Sequence, residues 1–406
     1  MANNNDKKVL NVPALRFPEF TEEWKRCIIG ELTTKVGSGV TPRGGEAVYK
    51  SEGHPFVRSQ NVGLGYLMLD DIAYIDEDTH QRQKNTELQL DDVLLNITGA
   101  SIGRSALVNQ QIVGGNVNQH VCIIRANKKL TPSFLCNFLL SQYGQKQIES
   151  FQAGGNRQGL NFEQIRSIKI GLPSLEEQKK IADLLLLIEQ RITTQNKIIE
   201  KLETLIKGIV DSIFTANKFP KVPFKEIYVR AGEGGTPATS NPEYYDNGTI
   251  PFIKIDDLQN KYIKTNKDCI TELGLQKSSA WIVPANSIIY SNGATIGAIS
   301  INLFPVCTKQ GILGVVPKAD INVEFLYYFM TSTAFTKAVE RIVTEGTMRT
   351  AYLKDINHIP CPVPYPVKQD EIAKMLSTLS EKLENEVIFQ MKLQKQKEFL
   401  LSQMFI

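Results

Sequence analysis

Two stretches of the chain carry apolar residues at steps of three and four, which is the spacing of a heptad seam along a helix. They run through 176–217 and 367–406. The first row has one polar member, Gln195, whereas the second row is polar at Glu386, Gln390 and Lys397. The spacing predicts two long helices, each with a buried seam. The seam positions are Ile181, Leu185, Ile188, Ile192, Gln195, Ile199, Leu202, Ile206, Ile209 and Ile213 in the first helix, and Ile372, Leu376, Leu379, Leu383, Gln390, Leu393, Leu400 and Met404 in the second.

Each seam needs a partner, and the simplest partner is the other helix. Antiparallel pairing of Ile181 with Met404 places Gln195 beside Gln390, and a buried polar pair of this kind fixes the register of two helices. The alternative is that each helix packs only on its own globular domain. The long apolar rows favour packing of helix on helix.

The two helices close the copies of an internal repeat. The first helix opens with Gln-x-x-Ile-Ala-x-x-Leu from Gln178, and the second repeats this pattern 191 residues later from Gln369. Upstream, short β-like runs alternate with polar turns in both copies. The repeat predicts an α+β protein, with two pseudo-repeated α/β domains separated by a long antiparallel two-helix coiled coil. The predicted segments are a first domain at 1–175, a first helix at 176–217, a second domain at 218–366 and a second helix at 367–406.

Composition narrows the class of protein. The 406 residues are 42% hydrophobic and 22% charged, which is typical of a folded globular chain. No apolar run approaches the length of a membrane span, so we expect no membrane partner and a cytoplasmic location. Six scattered cysteines without a Cys-x-x-Cys pair indicate neither a disulfide framework nor a zinc site. The net charge of +3 is too small for bulk attraction to nucleic acid, so a DNA surface has to come from local placement.

Catalytic motifs are mostly missing from the sequence. It contains no G-x-x-x-x-G-K-[ST] phosphate loop and no H-E-x-x-H metal motif. The run Asn241-Pro-Glu-Tyr244 resembles the Asn-Pro-Pro-Tyr signature of DNA amino-methyltransferases, but no glycine-rich cofactor turn precedes it. We therefore interpret this run as a turn and expect no catalytic or metal-binding residue. A self-contained methyltransferase or nuclease is one alternative function, and a scaffold that does not bind DNA is another.

The whole pattern resembles the specificity (S) subunit of type I restriction–modification enzymes. The likeness extends over essentially the whole chain. It rests on Val12-Pro-Ala-Leu-Arg-Phe-Pro-Glu-Phe20, the Gly39–Pro42 turn that returns at 234–237, and the glycine turn at 96–103 that returns at 291–297. The ordered duplication and the two heptad helices make the resemblance specific, although no single motif is strong.

The resemblance implies what each part of the chain does. The two globular domains are expected to be target-recognition domains that read a bipartite, asymmetric site on double-stranded DNA, with one half-site for each domain. The helices are expected to act as spacers and to bind two modification (M) subunits. The chain itself is expected to bind no cofactor and to catalyse nothing. S-adenosylmethionine would bind the M subunits, and ATP with Mg would bind the restriction (R) subunits.

We expect the DNA contacts to come from polar and basic residues beside the repeated turns. Arg and Lys can bond guanine in the major groove, and Asn and Gln can bond adenine. The alternative for each residue is a solvated loop position or a phosphate contact that carries no sequence information. The predicted residues are Arg43, Arg58, Ser59, Gln60, Asn61, Arg104, Asn118, Gln119, Asn156, Arg157 and Gln158 in the first domain, and Lys254, Asp256, Asn292, Thr308, Lys309, Gln310 and Arg349 in the second.

Overall fold

The chain folds into two compact units in a computed structural model. The first unit contains Met1–Gln195 and Phe389–Ile406, and the second contains Asn196–Ile388. Both boundaries fall inside long helices, so each helix contributes residues to both units. The division of the chain at residues 175, 217 and 366 stays a prediction. The structure describes residues 11–152, 159–215, 219–293, 295–343 and 349–406.

Among the residues that the structure describes, nine strands and the first five α-helices begin in the first unit. The strands are β1 (Lys25–Ile28), β2 (Thr33–Ser38), β3 (His54–Val57), β4 (Ala73–Ile75), β5 (Val93–Asn96), β6 (Ser105–Leu107), β7 (Asn116–Val117), β8 (Val121–Ala126) and β9 (Lys169–Leu172). The helices are α1 (Glu77–Arg82), α2 (Pro132–Leu140), α3 (Gln142–Ser150), α4 (Phe162–Ser167) and α5 (Leu175–Thr215).

The elements that follow α5 belong to the second unit until the last helix returns to the first. The strands are β10 (Lys221–Pro223), β11 (Tyr228–Glu233), β12 (Ile250–Ile253), β13 (Tyr262–Ile263), β14 (Asp268–Ile270), β15 (Ile288–Ser291), β16 (Ile299–Asn302), β17 (Cys307–Thr308), β18 (Ile312–Pro317) and β19 (Pro360–Pro362). The helices are α6 (Glu272–Gln276), α7 (Val323–Thr331), α8 (Thr333–Glu340), α9 (Leu353–Ile356) and α10 (Pro366–Gln403).

The sheets of the two units repeat one topology, as the sequence predicts. The first unit has sheets of order β2-β8-β5-β6, β4-β3-β7 and β1-β9. The second has β11-β18-β15-β16-β13, β14-β12-β17 and β10-β19, so among the described strands only β13 lacks a counterpart. In each unit one pair is parallel within the three-stranded sheet, β3 with β7 and β12 with β17. The duplicated α+β architecture is therefore confirmed.

The core of the first unit joins its sheet, its short helices and both long helices. The central strand β8 is buried on both faces between Val121 and Ile124, which explains its continuous apolar sequence. Phe134 of α2 lies with its ring centre 5.2 Å from that of Phe405, beyond the end of α10. The same cluster contains seam residues of both long helices, namely Ile181, Leu185, Ile188, Ile192, Leu393, Leu400 and Met404.

The two long helices run antiparallel in the first unit. The backbone N–H of Gly171, just before α5, donates to the carbonyl of Ile406 at 3.2 Å, beyond the end of α10. Farther into both helices, Glu189 of α5 forms an ion pair with Lys397 of α10. Lys397 interrupts the apolar row of α10, and this pair explains how a half-buried charge is accommodated there. Gln195 is buried and Gln390 half-buried, but their pairing stays a prediction.

The second unit uses the other ends of the same helices. Val210 and Phe214 of α5 share an apolar cluster with Ile372 and Leu376 of α10. The seam residues Ile206, Ile209 and Ile213 pack against this cluster. The middle of the seam is looser, since the remaining predicted members are only half-buried. These are Ile199, Leu202, Leu379 and Leu383.

A polar cluster fixes β13, the extra strand of the second unit, to the helices beside it. The Lys261 ammonium group donates to Ser377 at 2.9 Å and lies 3.2 Å from the Glu324 carboxylate. The hydroxyls of Tyr262 and Ser377 also donate to Glu324. Burial raises the pKa of Glu324, but the hydrogen bonds from Ser377 and Tyr262 and the charge of Lys261 outweigh it, so the pKa lies below its ordinary value. The carboxylate is therefore ionised at neutral pH.

Candidate nucleic-acid interface

The repeated Gly-x-Thr-Pro turn packs directly against the parallel strand pair in each unit. A Cβ atom at Gly39 would lie 1.7 Å from the carbonyl oxygen of Val117, and one at Gly234 would lie 1.9 Å from that of Thr308. Any larger residue would push the turn away from the strand. This close approach is the physical reason for glycine at both positions. The turn and the residues after β7 and β17 thus form a corner in each unit.

Hydrogen bonds tie the turn to the corner in both units, but different groups make them. In the first unit, the N–H of Thr41 donates to the side-chain oxygen of Gln119 at 3.0 Å. In the second unit, the backbone N–H of Gln310 donates to the Thr236 hydroxyl at 3.4 Å. The backbone arrangement is therefore repeated while the side chains that it presents differ.

Four of the predicted DNA-binding residues are interior residues, which corrects their assignment to the surface. Asn61 donates from its amide to the carbonyl of Met68 at 2.9 Å, and Asn292 donates to that of Ala351 at 3.1 Å. These side chains complete the hydrogen bonding of buried backbone groups, and freeing them for DNA would leave those groups unpaired. The four buried residues are Asn61, Asn118, Asn292 and Thr308.

Arg58 is also held within the first unit. Its guanidinium donates to the backbone carbonyl of Asp71 at 2.6 Å and to the carboxylate at 3.3 Å. Gln60, although exposed, donates to the same carboxylate. The side chain of Arg58 is mostly buried, and its hydrogen bonds to Asp71 stabilise the loop between β3 and β4.

The remaining candidates lie at the surface of their own units. Arg43 and Arg104 make no ion pair with any residue that the structure describes, whereas Lys254 pairs with Asp268 at 2.9 Å. Asn156, Arg157 and Gln158 lie outside the described residues. The exposed candidates are Arg43, Gln60, Gln119, Asp256, Lys309, Gln310 and Arg349, and the half-exposed ones are Ser59, Arg104 and Lys254.

Sequence reasoning missed two residues beside this corner, Thr98 and His120. Nδ1 of His120 lies 2.6 Å from the Thr98 hydroxyl, and Nε2 lies 3.1 Å from the Gln119 amide nitrogen. Thr98 belongs to the glycine turn at 96–103, so this chain of contacts connects two predicted DNA-binding segments. The only available signal was that His120 directly follows Gln119.

The candidate chemical groups elsewhere have structural roles. The side-chain oxygen of Asn241 accepts from the N–H of Glu243 at 3.1 Å, so the methyltransferase-like run forms a turn. Burial raises the pKa of the Cys122 thiol to about 12 and that of Cys136 to about 11, which keeps both protonated and poor as metal ligands. Within the described ranges no three His, Cys, Asp or Glu side chains are grouped to hold a metal ion. The helices described there also include none long and apolar enough to cross a membrane.

Comparison with known proteins decides the family. The family described as type I restriction modification DNA specificity domain matches residues 21–204 and again 221–392. The chain belongs to this family. It is a specificity subunit of a type I restriction–modification system, with two target-recognition domains, and specificity subunits are the non-catalytic components of such systems.

Other specificity subunits resemble it along most of its length. A protein of Methanocaldococcus jannaschii, provisionally named the MjaX specificity subunit of a type I restriction enzyme, is 24% identical over 390 residues, which are 90% of this chain and 89% of that one. The HindI specificity subunit of Haemophilus influenzae is 22% identical over 408 residues, covering 80% of this chain and 86% of that one. The crystal structure of the S subunit from M. genitalium covers 97% of this chain and 99% of that one, with 15% identity and a TM-score of 0.56. That structural likeness supports the fold of this specificity subunit.

Proposed function

We propose that this specificity subunit reads a bipartite, asymmetric target on double-stranded DNA, one half-site with each globular domain. The domains are the segments 1–175 and 218–366. The proposed readers are exposed or half-exposed residues at the corner and turns of each unit. They are Arg43, Arg104 and Gln119 in the first unit and Lys309, Gln310 and Arg349 in the second. Buried Asn61, Asn118, Asn292 and Thr308 hold the backbone beneath them.

One observation carries the proposal of two different half-sites. The backbone N–H of Asn118 donates to the carbonyl of Val57 at 3.1 Å, and that of Lys309 donates to Ile253 at 3.0 Å. The two residues occupy the same place in the repeated sheet, yet Asn118 is buried and Lys309 is exposed. A repeated backbone with different presented groups reads different base edges, because donor and acceptor patterns distinguish base pairs in the major groove.

The long helices are proposed to bind two modification subunits. Most of their apolar seam residues belong to the cores of the two units, so the other faces of the helices are the better candidates for docking. Leu186 and Leu187 are apolar and 54% and 58% exposed, and Phe399 is 57% exposed. Exposed apolar side chains on a helix favour a protein partner because their burial stabilises the complex.

The chemistry of the complex is proposed to lie on other chains. S-adenosylmethionine would bind the modification subunits, and ATP with Mg would bind the restriction subunits. The complex would act on DNA in the cytoplasm. The isolated chain is expected to show no saturable binding of S-adenosylmethionine in calorimetry, whereas a self-contained methyltransferase would bind it.

A map of methylated adenines in the host genome tests the proposal. Adenine methylation is compared among hosts in which the gene is intact, deleted, or restored on a plasmid. We expect one split motif with two different halves to lose methylation on deletion and to regain it on restoration. A co-expressed modification subunit supplies the enzyme if the host's own is silent. Unchanged methylation in the presence of an active modification subunit would contradict the proposal.

A further inference from the structure

The corner of the first unit holds Gln119 in one orientation. The N–H of Thr41 is a donor, so the Gln119 atom that it contacts at 3.0 Å is the side-chain oxygen. The Thr41 hydroxyl donates to the same oxygen. A carbonyl oxygen has two lone pairs, and both are therefore occupied. The amide nitrogen of Gln119 then faces His120.

This orientation also determines which of the two nitrogens of the His120 ring carries a hydrogen. The amide nitrogen of Gln119 only donates, so Nε2 of His120, at 3.1 Å, has to accept. The ring hydrogen then lies on Nδ1, which donates to the Thr98 hydroxyl at 2.6 Å. His120 is thereby fixed on one side by Thr98 and fixes Gln119 on the other.

The described residues of the second unit include no equivalent of this arrangement. In the first unit, the backbone N–H of Ile97 donates to the carbonyl of His120 at 3.0 Å. In the second unit, the N–H of Asn292 donates to the carbonyl of Gly311 at 3.1 Å. Gly311 therefore occupies the position of His120. Gly311 has a φ of +84° and no side chain with which to orient Gln310. Its N–H is held instead by the carboxylate of Glu233 at 2.6 Å.

We propose that His120 is a positioning residue for one half-site only, and that it limits Gln119 to a single free N–H donor. This inference rests on the proposed function of the two domains. With its oxygen occupied, Gln119 cannot make the two-bond contact to adenine that the residue type alone suggests. Its remaining N–H fits an acceptor, such as N7 of a purine, O6 of guanine or O4 of thymine.

Two substitutions of similar size separate the two hydrogen bonds of His120. His120→Gln places an acceptor near the position of Nε2 and keeps the contact with Gln119. His120→Asn places its amide near the position of Nδ1, keeps the contact with Thr98 and loses the one with Gln119. A merely structural role of the ring predicts similar effects for both, because both remove it.

The test maps adenine methylation in the host with each variant of the full chain. Gln119→Ala identifies the half-site that the first unit reads, and Lys309→Ala identifies the other half. We expect His120→Asn to lower discrimination at the Gln119-dependent base about tenfold, with the second half-site unchanged. We expect His120→Gln to stay within about threefold of the wild type, on the same scale of base discrimination.

Several outcomes would overturn the inference. They are an unchanged motif in both His120 variants, equal losses in both variants, and relaxation of both half-sites together. If His120→Asn does not fold, Thr98→Val is the second variant, because it removes the hydrogen bond to Nδ1 of His120 without changing residue 120. We then expect lower discrimination at the same Gln119-dependent base. Failure of the proposed function gives a different result, because the wild-type chain would then direct no split motif at all.

Discussion

Gln178 and Gln369 make matching hydrogen bonds in the two units. The amide of Gln178 donates to the carbonyl of Pro173 at 3.0 Å and accepts from the N–H of Thr131 at 2.8 Å. The amide of Gln369 donates to Pro364 at 2.8 Å and accepts from the N–H of Asn322 at 2.9 Å. Both side chains are buried at the start of a long helix. They join that helix to the loop before α2 or α7, which explains why glutamine is repeated there.

Loss of either glutamine should destabilise its unit. Gln178→Ala or Gln369→Ala leaves buried backbone groups unpaired, and we expect each to lower the free energy of unfolding by about 2–3 kcal/mol. Urea unfolding monitored by circular dichroism measures the change. The exposed Gln394→Ala is the matched control, with an expected effect below about 0.5 kcal/mol. Equal effects of the three variants would refute the proposed role.

The seam and the opposite face of α5 should respond differently to charge. Ile188→Glu with Ile192→Glu places two carboxylates in the core of the first unit, and we expect its cooperative unfolding transition to disappear. Leu186→Glu with Leu187→Glu changes exposed positions on the same helix. We expect this second pair to keep the melting temperature within a few degrees and to prevent co-purification with modification subunits. If the second pair also unfolds the protein, the assignment of the two faces is wrong.

Glu324 makes the stability of the second unit depend on pH in the acidic range. The pKa of its carboxyl in the folded protein lies below the ordinary value of 4.5, so the unfolded chain takes up its proton first as the pH falls. Its stabilising contribution is therefore present above about pH 4.5 and decreases as the pH drops through the lower, folded pKa. We expect wild type to be more stable than Glu324→Gln at pH 7, with the difference shrinking below pH 4.5. Urea unfolding at several pH values tests this, and a constant difference would count against it.

Two arginines that look alike in sequence should have different effects on DNA binding. Arg43 is exposed at the corner, so Arg43→Ala should weaken binding by the assembled complex and reduce the slope of log affinity against log salt by about 1. The Arg58 guanidinium is hydrogen-bonded to Asp71, so we expect Arg58→Ala mainly to lower the stability of the first unit. Fluorescence anisotropy across a salt series and thermal melting separate the two effects. An unchanged salt slope in Arg43→Ala would remove it from the interface.

Periodicity predicted the long elements well. The sequence predicts two long helices with apolar seams, and the structure has long helices at Leu175–Thr215 and Pro366–Gln403. Local apolar spacing suffices there, because a heptad seam recurs over many turns. The repeat of the sheets was also predictable, since ordered echoes in sequence imply the same topology twice.

Which polar residues reach the surface was not predictable in the same way. Asn118 and Gln119 are neighbours of similar chemistry, yet one is buried and the other exposed. The difference depends on the parallel pairing of β3 with β7, which joins residues about 60 positions apart in sequence. Local sequence does not encode such a pairing, so the orientation of a side chain at its end is known only from the fold.

The two-stranded sheets β1-β9 and β10-β19 have a consequence for the evolution of the protein. Ile28 of β1 lies opposite Lys169 of β9, and Pro223 of β10 lies opposite Pro360 of β19. The segment from Ile28 to Lys169 and the segment from Pro223 to Pro360 therefore each begin and end only about one strand spacing apart, roughly 5 Å. We expect each of these segments to be exchangeable as a unit, because a foreign segment with the same flanking strands would join the rest of the chain at two adjacent points. Under the proposed function, recombination within these two small sheets is expected to replace one half of the DNA target in a single event, while the long helices keep their sequence.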